Sequence, residues 1–450
     1  YSSHSVVDIC GAPLAMEGLL AFFMEATFVG LFFFGWDKLS KVGHLTATWA
    51  VAIGSNFSAL WILIANGWMQ NPVGSAFNPE TMRMEVTDFA AVLTNTVAQA
   101  KFVHTVSAGY VTASIFVLGI SAWYLLKGRH LELAKRSMTV AASFGLAAAL
   151  SVVVLGDESG YLSTEHQKMK LAAIEGMWET QDAPADFTLV GFPNQEARET
   201  HYAIHLPALM GLIGTRSLDT VIPGINELVQ RAELRIHNGI KAYDALQIIR
   251  TAGSADQVTP AMRYAFEETG NDLGYALLLK RYVDDPRQAT PEQISKAAFD
   301  TVPQVAPLFW LFRIMVAIGM FMILLTGVFF ILSAKRQLDK HRWLLKLAVV
   351  AIPLPWIAIE AGWLVAEFGR QPWVIEGVLP TAVAVSHLGI KTLLITLGGF
   401  VAIYTVLFII EMKLIFKTIR KGPTAEHSPE TGAYGKPAAD AIPAATPEPL

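Results

Sequence analysis

Charged side chains are scarce in this sequence. Asp, Glu, Lys and Arg make up 16% of its 450 residues, against about 25% in soluble domains. Hydrophobic residues make up 53%, and the mean hydropathy is +0.42. The deficit of charge falls on long apolar runs, which excludes an ordinary water-soluble globule and points to a polytopic membrane protein. No basic stripe with interleaved aromatics occurs, so nothing supports nucleic-acid binding. A net charge of −4 is too small to select a partner. Cys10 is the only cysteine, which excludes an internal disulfide and a cysteine-rich metal site. The sequence begins at Tyr1 and not at a Met, and no basic segment leads into a short apolar run there, so no signal peptide is read. The chain reads as starting inside a longer protein.

What is present is a set of seven apolar stretches, each long enough to cross about 30 Å of hydrocarbon. They are expected at 12–36, 44–69, 97–126, 137–156, 306–333, 343–367 and 390–414. Basic residues then sort the connections. Lys38 and Lys41, then Lys127, Arg129, Lys135 and Arg136, then Lys335, Arg336, Lys340, Arg342 and Lys346, and last Lys417, Arg420 and Lys421 all fall on one side. That side is expected to be cytoplasmic. The 70–96, 157–305 and 368–389 connections are then outside. The 157–305 segment is too long for an ordinary loop and holds an amphipathic stretch near 224–250, with Ile225, Leu228, Ala232, Leu234, Ile240 and Leu246 on its apolar side. It is expected to be a folded extramembrane domain between helices in 1–156 and 306–420. A Pro/Ala/Glu-rich tail over 421–450 is expected to be disordered.

Ionisable groups within a bilayer are costly unless paired or coordinated, so each needs a reason. Span one has Glu17 and Glu25, span three has His104, span five has Arg313 and Met315, and span six has Glu360, Glu367 and Arg370. In a regular helix Glu17 and Glu25 lie within about 80° of each other and about 12 Å apart in depth. His104 sits near the outer end of its span, and Met315 lies roughly 12 Å past Pro307. Glu367 and Arg370 end the outward-running span six. A His, a Met and a Glu at similar depth on three helices suit axial haem ligation, and the two arginines suit haem propionates. The residues alone leave alternatives open. A Met in a span is usually packing, a His can bond a neighbouring helix, and Glu367 can simply pair with Arg370 three residues on. Buried carboxylates also serve proton-coupled transporters.

Several runs carry a resemblance. "GAPLAMEGLLAFFMEATFVGLFFFGWDKL" resembles the third helix of cytochrome bd subunit I, and "GSNFSALWILIANGWMQNP" resembles its fourth. "KFVHTVSAGYVTASIFVLGISAWYLLKGR" resembles the helix whose His binds a low-spin haem b. "GDESGY" with "KLAAIEG" is similar to the opening of the quinol-binding loop. "FRIMVA" resembles the Met-bearing helix, and "PLPWIAIEAGWLVAEFGRQPW" is similar to the family's most distinctive segment. The resemblance covers about residues 8–420.

It implies an all-α, polytopic transmembrane helix bundle in the bacterial inner membrane, with a long quinol-binding loop on the periplasmic side. His104 and Met315 are then the ligands of a low-spin haem b, and Glu367 that of a high-spin haem iron beside haem d. Arg313 and Arg370 would contact propionates, with Trp363 between haems. Glu17, Glu25 and Ser58 would line a proton route, and Lys170 with Glu175 would bind quinol, although by spacing alone those two read as a solvated helix face. The implied enzyme oxidises ubiquinol or menaquinol outside and reduces O₂ to water without pumping. Its implied partners are subunit II, a small single-span accessory subunit and the lipid membrane. The family has nine helices where seven are counted here. The two others would precede Tyr1, the first of them carrying another haem-ligating His, and His4, expected in the outer loop, is no substitute. Two other classes stay in view: a diheme electron-transfer anchor and a proton-coupled transporter.

Overall fold

The computed structural model describes residues 2–251, 258–386 and 388–423, with side chains from Ile9 onward. The tail expected over 421–450 lies mostly outside the described residues, as does the side chain of His4. The backbone at His4 belongs to a helix, not to the loop expected there.

Helices dominate, in keeping with apolar runs that must satisfy every backbone group internally. In chain order they are α1 (Ser2–Met16), a π-helical turn (Glu17–Phe22), α2 (Phe23–Phe34) and α3 (Lys41–Gln70). A hairpin of β1 (Ser75–Asn78) and β2 (Arg83–Val86) and the short α4 (Phe89–Leu93) lead into α5 (Thr96–Lys127), α6 (Leu131–His166) and α7 (Lys168–Glu175). The antiparallel pair β3 (Phe187–Asn194) and β4 (Glu199–Leu206) precedes α8 (Ile225–Thr251), α9 (Pro260–Thr269), α10 (Leu273–Leu277) and α11 (Pro291–Phe299). Then come α12 (Val305–Ala334), α13 (Arg342–Val350), α14 (Leu354–Phe368), the hairpin β5 (Trp373–Ile375) with β6 (Leu379–Pro380), and α15 (Ile390–Lys421). Among the described residues, seven helical stretches are long and apolar enough to cross a membrane, each overlapping one of the expected spans.

Three details differ from the expected pattern. The fourth span continues as one helix to His166, ten residues past 156. The sixth is interrupted at 351–353, because Pro353 has no N–H to give and restricts the residue before it. In α8 the buried face is Ile225, Val229, Ala232, Ile236, Leu246 and Ile249, while Leu234 is 66% exposed. Leu234 is nine residues from Ile225, half a turn out of phase at 3.6 residues per turn.

The described residues form two compact units. One comprises the described residues up to Met16 and Ala59–Ser386. Its membrane core packs α5, α6, α12 and α13 around Ile115, Leu118, Met138, Met322 and Phe329. A second apolar cluster joins α7, α8 and α11 to the N-terminal end of α12 and the C-terminal end of α14 through Ile174, Trp178, Ile225, Leu279, Leu308 and Val365. The described residues of 168–305 are therefore packed onto helix ends within this unit. The other unit comprises Glu17–Ser58 and the described residues after Ser386, and includes α2 and α15.

Candidate functional site

Helix α7 places Lys170 and Glu175 five residues apart, about 140° around its axis. Both are buried, at 5% and 2% exposure. They do not share partners.

Glu175 meets Arg313 of α12, whose Nη2 stands 3.4 Å from Oε2, and it accepts from the backbone N–H of Thr188 at 3.3 Å. Burial pushes the Glu175 carboxyl up to about 7, against the opposing pull of Arg313. Arg313 spends its donors on protein oxygens: Leu189 O at 3.0 Å, Ile174 O at 2.8 Å, Phe309 O at 2.9 Å, Thr188 O and Glu175. A guanidinium has five N–H groups, so the propionate contact expected of Arg313 would require breaking one of these bonds.

Lys170 starts a different network. Its Nζ donates to Gln70 Oε1 at 2.9 Å and to Gln167 Oε1 at 2.5 Å. Gln70 Nε2 donates to Asn66 Oδ1 at 3.3 Å, which also accepts from Lys101 Nζ at 3.0 Å. Asn66 Nδ2 donates to Glu367 Oε1 at 3.0 Å, and Arg370 Nη2 donates to Glu367 Oε2 at 2.5 Å. On the other arm Gln167 Nε2 donates to Glu376 Oε2 at 3.3 Å. From Lys170 through Gln70 and Asn66 to Glu367, and through Gln167 to Glu376, each donor points away from Lys170, while Lys101 and Arg370 donate into the first arm from outside. Burial pulls the Lys170 ammonium down and pushes the Glu376 carboxyl up, and each group opposes the shift of the other. The structure thus connects an expected quinol residue, Lys170, to an expected haem ligand, Glu367, through two amides.

Three cations, Lys101, Lys170 and Arg370, meet two carboxylates here. Arg370 is buried at 7% exposure, and its Nε and Nη1 have no hydrogen-bond partner among the described residues. A buried cation that keeps two unpartnered donor atoms beside its one ion pair with Glu367 suits a further anionic group such as a propionate. His104 on α5 has a buried Nδ1 that likewise lacks a partner, its ring interacting with the backbone of Val152. A Cβ on Gly156 of α6 would come within 3.4 Å of that ring. On α14, a Cβ on Gly362 would stand 2.7 Å from Met315 Sδ of α12, so only glycine leaves the thioether its place. Trp363, next to it, is 46% exposed. A free imidazole nitrogen, a thioether kept clear by glycine and an arginine with spare donors all fit a haem-holding site.

In the other unit, the π-helical turn begins at Glu17, where a regular helix was expected. Such turns recur at functional positions. Ser58 Oγ donates to Glu17 Oε1 at 2.9 Å, and Ser55 Oγ donates to Glu25 Oε1 at 3.1 Å. Both carboxylates therefore face α3, on serines three residues apart.

Sequence reasoning missed Lys101, Asn66, Gln70, Gln167, Glu376, Ser55 and Gly362. Lys101 had a signal: it is a charge inside an apolar span, and the rule that singled out His104 applies to it equally. The amides gave none, since uncharged polar residues recur along any helix.

The fold and this site define a multi-pass helical membrane protein with a buried, cation-rich polar network and unpartnered ligand atoms suited to a redox cofactor. A profile of the cytochrome bd terminal oxidase subunit I family matches residues 1–423, and the chain belongs to that family. It is therefore a subunit of a terminal oxidase of a cytochrome, and hence haem-dependent, class. The chain is 47% identical over 428 residues to the cytochrome bd-II ubiquinol oxidase subunit 1 of Escherichia coli (strain K12), covering 95% of this chain and 82% of that protein. It is 32% identical over 432 residues to the cytochrome bd ubiquinol oxidase subunit 1 of Bacillus subtilis (strain 168), covering 94% and 77%. Among solved structures it resembles the bd oxidase from Geobacillus thermodenitrificans, with a TM-score of 0.67 at 25% identity, covering 93% of this chain and 81% of that one.

Proposed function

We propose that this chain is the haem-binding catalytic subunit of a quinol:oxygen oxidoreductase. On this reading it oxidises ubiquinol or menaquinol at the periplasmic face of a bacterial inner membrane, reduces O₂ to water, and builds a proton-motive force without pumping. The observation that carries the reading is the buried connection from Lys170 to Glu367, which ties the loop helix α7 to the end of α14.

His104 and Met315 would hold a low-spin haem b, and Glu367 a high-spin haem b beside haem d, with Arg370 meeting propionates. When bound, these haems supply the electron transfer and the oxygen chemistry. The chain's own residues do the rest. Lys170 orients the quinol headgroup with its ammonium. Glu175, a buried carboxylate held beside Arg313, accepts a hydroxyl proton and releases it to the outside. Glu25 and Glu17, held by Ser55 and Ser58, carry cytoplasmic protons inward past the apolar interior. Trp363 would fill space between haems. Subunit II, a small single-span subunit and the lipid bilayer would complete the assembly.

The test is the visible spectrum of the purified membrane protein with its partners, read together with quinol-dependent oxygen uptake. Haem b bands with a red-shifted chlorin band and quinol-dependent oxygen uptake are expected. A protein without haem would return the transporter reading. Haem b alone, without oxygen uptake, would return the electron-transfer anchor.

A further inference from the structure

Glu376 has no part in the roles assigned above. It opens the turn from β5 to β6, where Gly377 takes a φ of +69°, a conformation that favours glycine. The turn is fixed from below, because Glu376 N donates to Met69 O at 2.9 Å at the end of α3. The carboxylate is thereby held within the protein, on Gln167.

Gln167 sits between Glu376 and Lys170, just before α7. An amide in that position has one orientation that serves both neighbours, its oxygen on the ammonium and its NH₂ on the carboxylate. The observed bonds have that orientation. Lys170 thus has a counter-charge one amide away, and a fully buried ammonium is unstable without one. The groups facing the pair come from several elements. Besides Glu376, Lys170 lies in the field of Glu367 and Arg370 from the α14 end and of Lys101 on α5, touching none of them by hydrogen bond. Glu376 lies in the field of Lys170, Arg370 and Arg235 of α8, and Tyr275 on α10 lies in the field of Glu376. Arg235 is itself engaged, donating to Asp272 Oδ1 at 2.6 Å and to Tyr275 Oη at 2.9 Å. Glu367 is likewise engaged, with Asn66 and Arg370. Glu376 is therefore the carboxylate left to Lys170.

We propose that Glu376 is a positioning residue for quinol binding, the counter-charge that acts through Gln167 to hold Lys170 charged and in place. This rests on the reading of Lys170 as a quinol-contacting group. No bond to substrate is made or broken at Glu376. Its effect is on where the Lys170 ammonium points and on the pH at which it loses its proton.

Removing the carboxylate takes away an attraction that favours charged Lys170, so the ammonium deprotonates at lower pH. In Glu376→Gln the alkaline fall in quinol affinity should move to lower pH, with the acidic side of the profile unmoved. KM should rise about tenfold with a smaller change in kcat, the worth of one strong charged hydrogen bond, and Glu376→Asp should recover part of it. The same alkaline shift should appear in calorimetric binding of a redox-inert hydroxyquinoline analogue of the headgroup, which needs no turnover. A Glu376→Gln profile that superimposes on the parent overturns the proposal, even if yield or rate has dropped. Should Glu376→Gln fail to assemble, Gln167→Leu cuts the bridge while keeping both charges and is read in the same way. If Lys170→Gln itself leaves KM and the pH profile unchanged, the quinol assignment of Lys170 has failed instead.

Discussion

Arg313 on α12 reaches Glu175 at the end of α7, its Nη2 3.4 Å from Oε2. This pair fastens α7 to α12, and it includes a carboxyl that burial has pushed up to about 7. The form of Glu175 that accepts a proton is the carboxylate, which is lost as pH falls through that value. The kcat/KM for quinol oxidation should therefore fall below about pH 7, approaching tenfold per pH unit, and level off above it. Glu175→Gln should abolish that acidic limb and cost about 10²–10⁴ in rate, with haem content normal. A pH profile of quinol-dependent oxygen uptake decides it, and an unshifted limb in Glu175→Gln rules Glu175 out as the acceptor.

The same pair makes a second expectation. Arg313 opposes the upward shift of Glu175, so Arg313→Gln should carry the acidic limb to higher pH. It also strips donors from the carbonyls of Ile174, Thr188 and Leu189. Losing one partner of a buried pair costs about 3–5 kcal/mol, which thermal melting should register. A lower melting temperature with an unmoved pH limb would make Arg313 a brace and nothing more.

How far the sequence foretold this arrangement differs by residue. The apolar runs were long and nearly charge-free, so the spans were legible, and His104, Glu17, Glu25 and Glu367 stood out as charges or ligands where none should be. Leu234 was misplaced because a short list of apolar residues does not fix helical phase, whereas the buried set does. The break at Pro353 was written in the sequence, but a window tuned to hydropathy runs straight over it. Glu376 was invisible for another reason. It lies in a connection, where acidic residues are ordinarily solvated, and only the turn at Gly377 and the bridge from Gln167 bring it inside. The coupling of Lys170 to Glu367 depends on Asn66 and Gln70 from a third helix, and no spacing within one segment encodes it.

The glutamates of span one offer a kinetic test. Ser58 and Ser55 hold Glu17 and Glu25 on one face of α3. Glu25→Gln should slow oxygen reduction while quinol still reduces the low-spin haem at the parent rate. Ser55→Ala and Ser58→Ala should have smaller effects, since each removes one neutral hydrogen bond worth about 1 kcal/mol. Stopped-flow absorbance separates the two half-reactions. Unchanged turnover in both Glu17→Gln and Glu25→Gln would leave the pair a structural role.

The low-spin site has its own probe in Gly362. A Cβ there would stand 2.7 Å from Met315 Sδ, so Gly362→Ala must displace the thioether. If His104 and Met315 are the ligands, Gly362→Ala should weaken the low-spin spectrum and His104→Ala should remove it. Gly160→Ala is the control, since nothing lies within 4 Å of its Cβ. A full low-spin spectrum in His104→Ala would sink the ligand assignment.

Glu367 separates the oxidase from its alternatives. Its carboxylate accepts from Asn66 Nδ2 at 3.0 Å and from Arg370 Nη2 at 2.5 Å, so an ion pair alone accounts for its place. An ion pair alone does not account for Arg370 Nε and Nη1, buried without hydrogen-bond partners among the described residues. Nor does it account for Lys101, a second cation brought to the same amide. Buried donors are ordinarily satisfied, and this surplus of positive charge fits a cofactor bearing carboxylates. A glutamate ligand would lower the net charge of a ferric haem, and the arginine beside it would balance propionates. Glu367→Ala should then lose the high-spin haem b signal, and with it haem d, while the low-spin spectrum survives. Arg370→Gln should lower high-spin haem occupancy without abolishing it. If every haem signal persists in Glu367→Ala and only the melting temperature falls, Glu367 is a structural partner of Arg370 and the iron has another ligand.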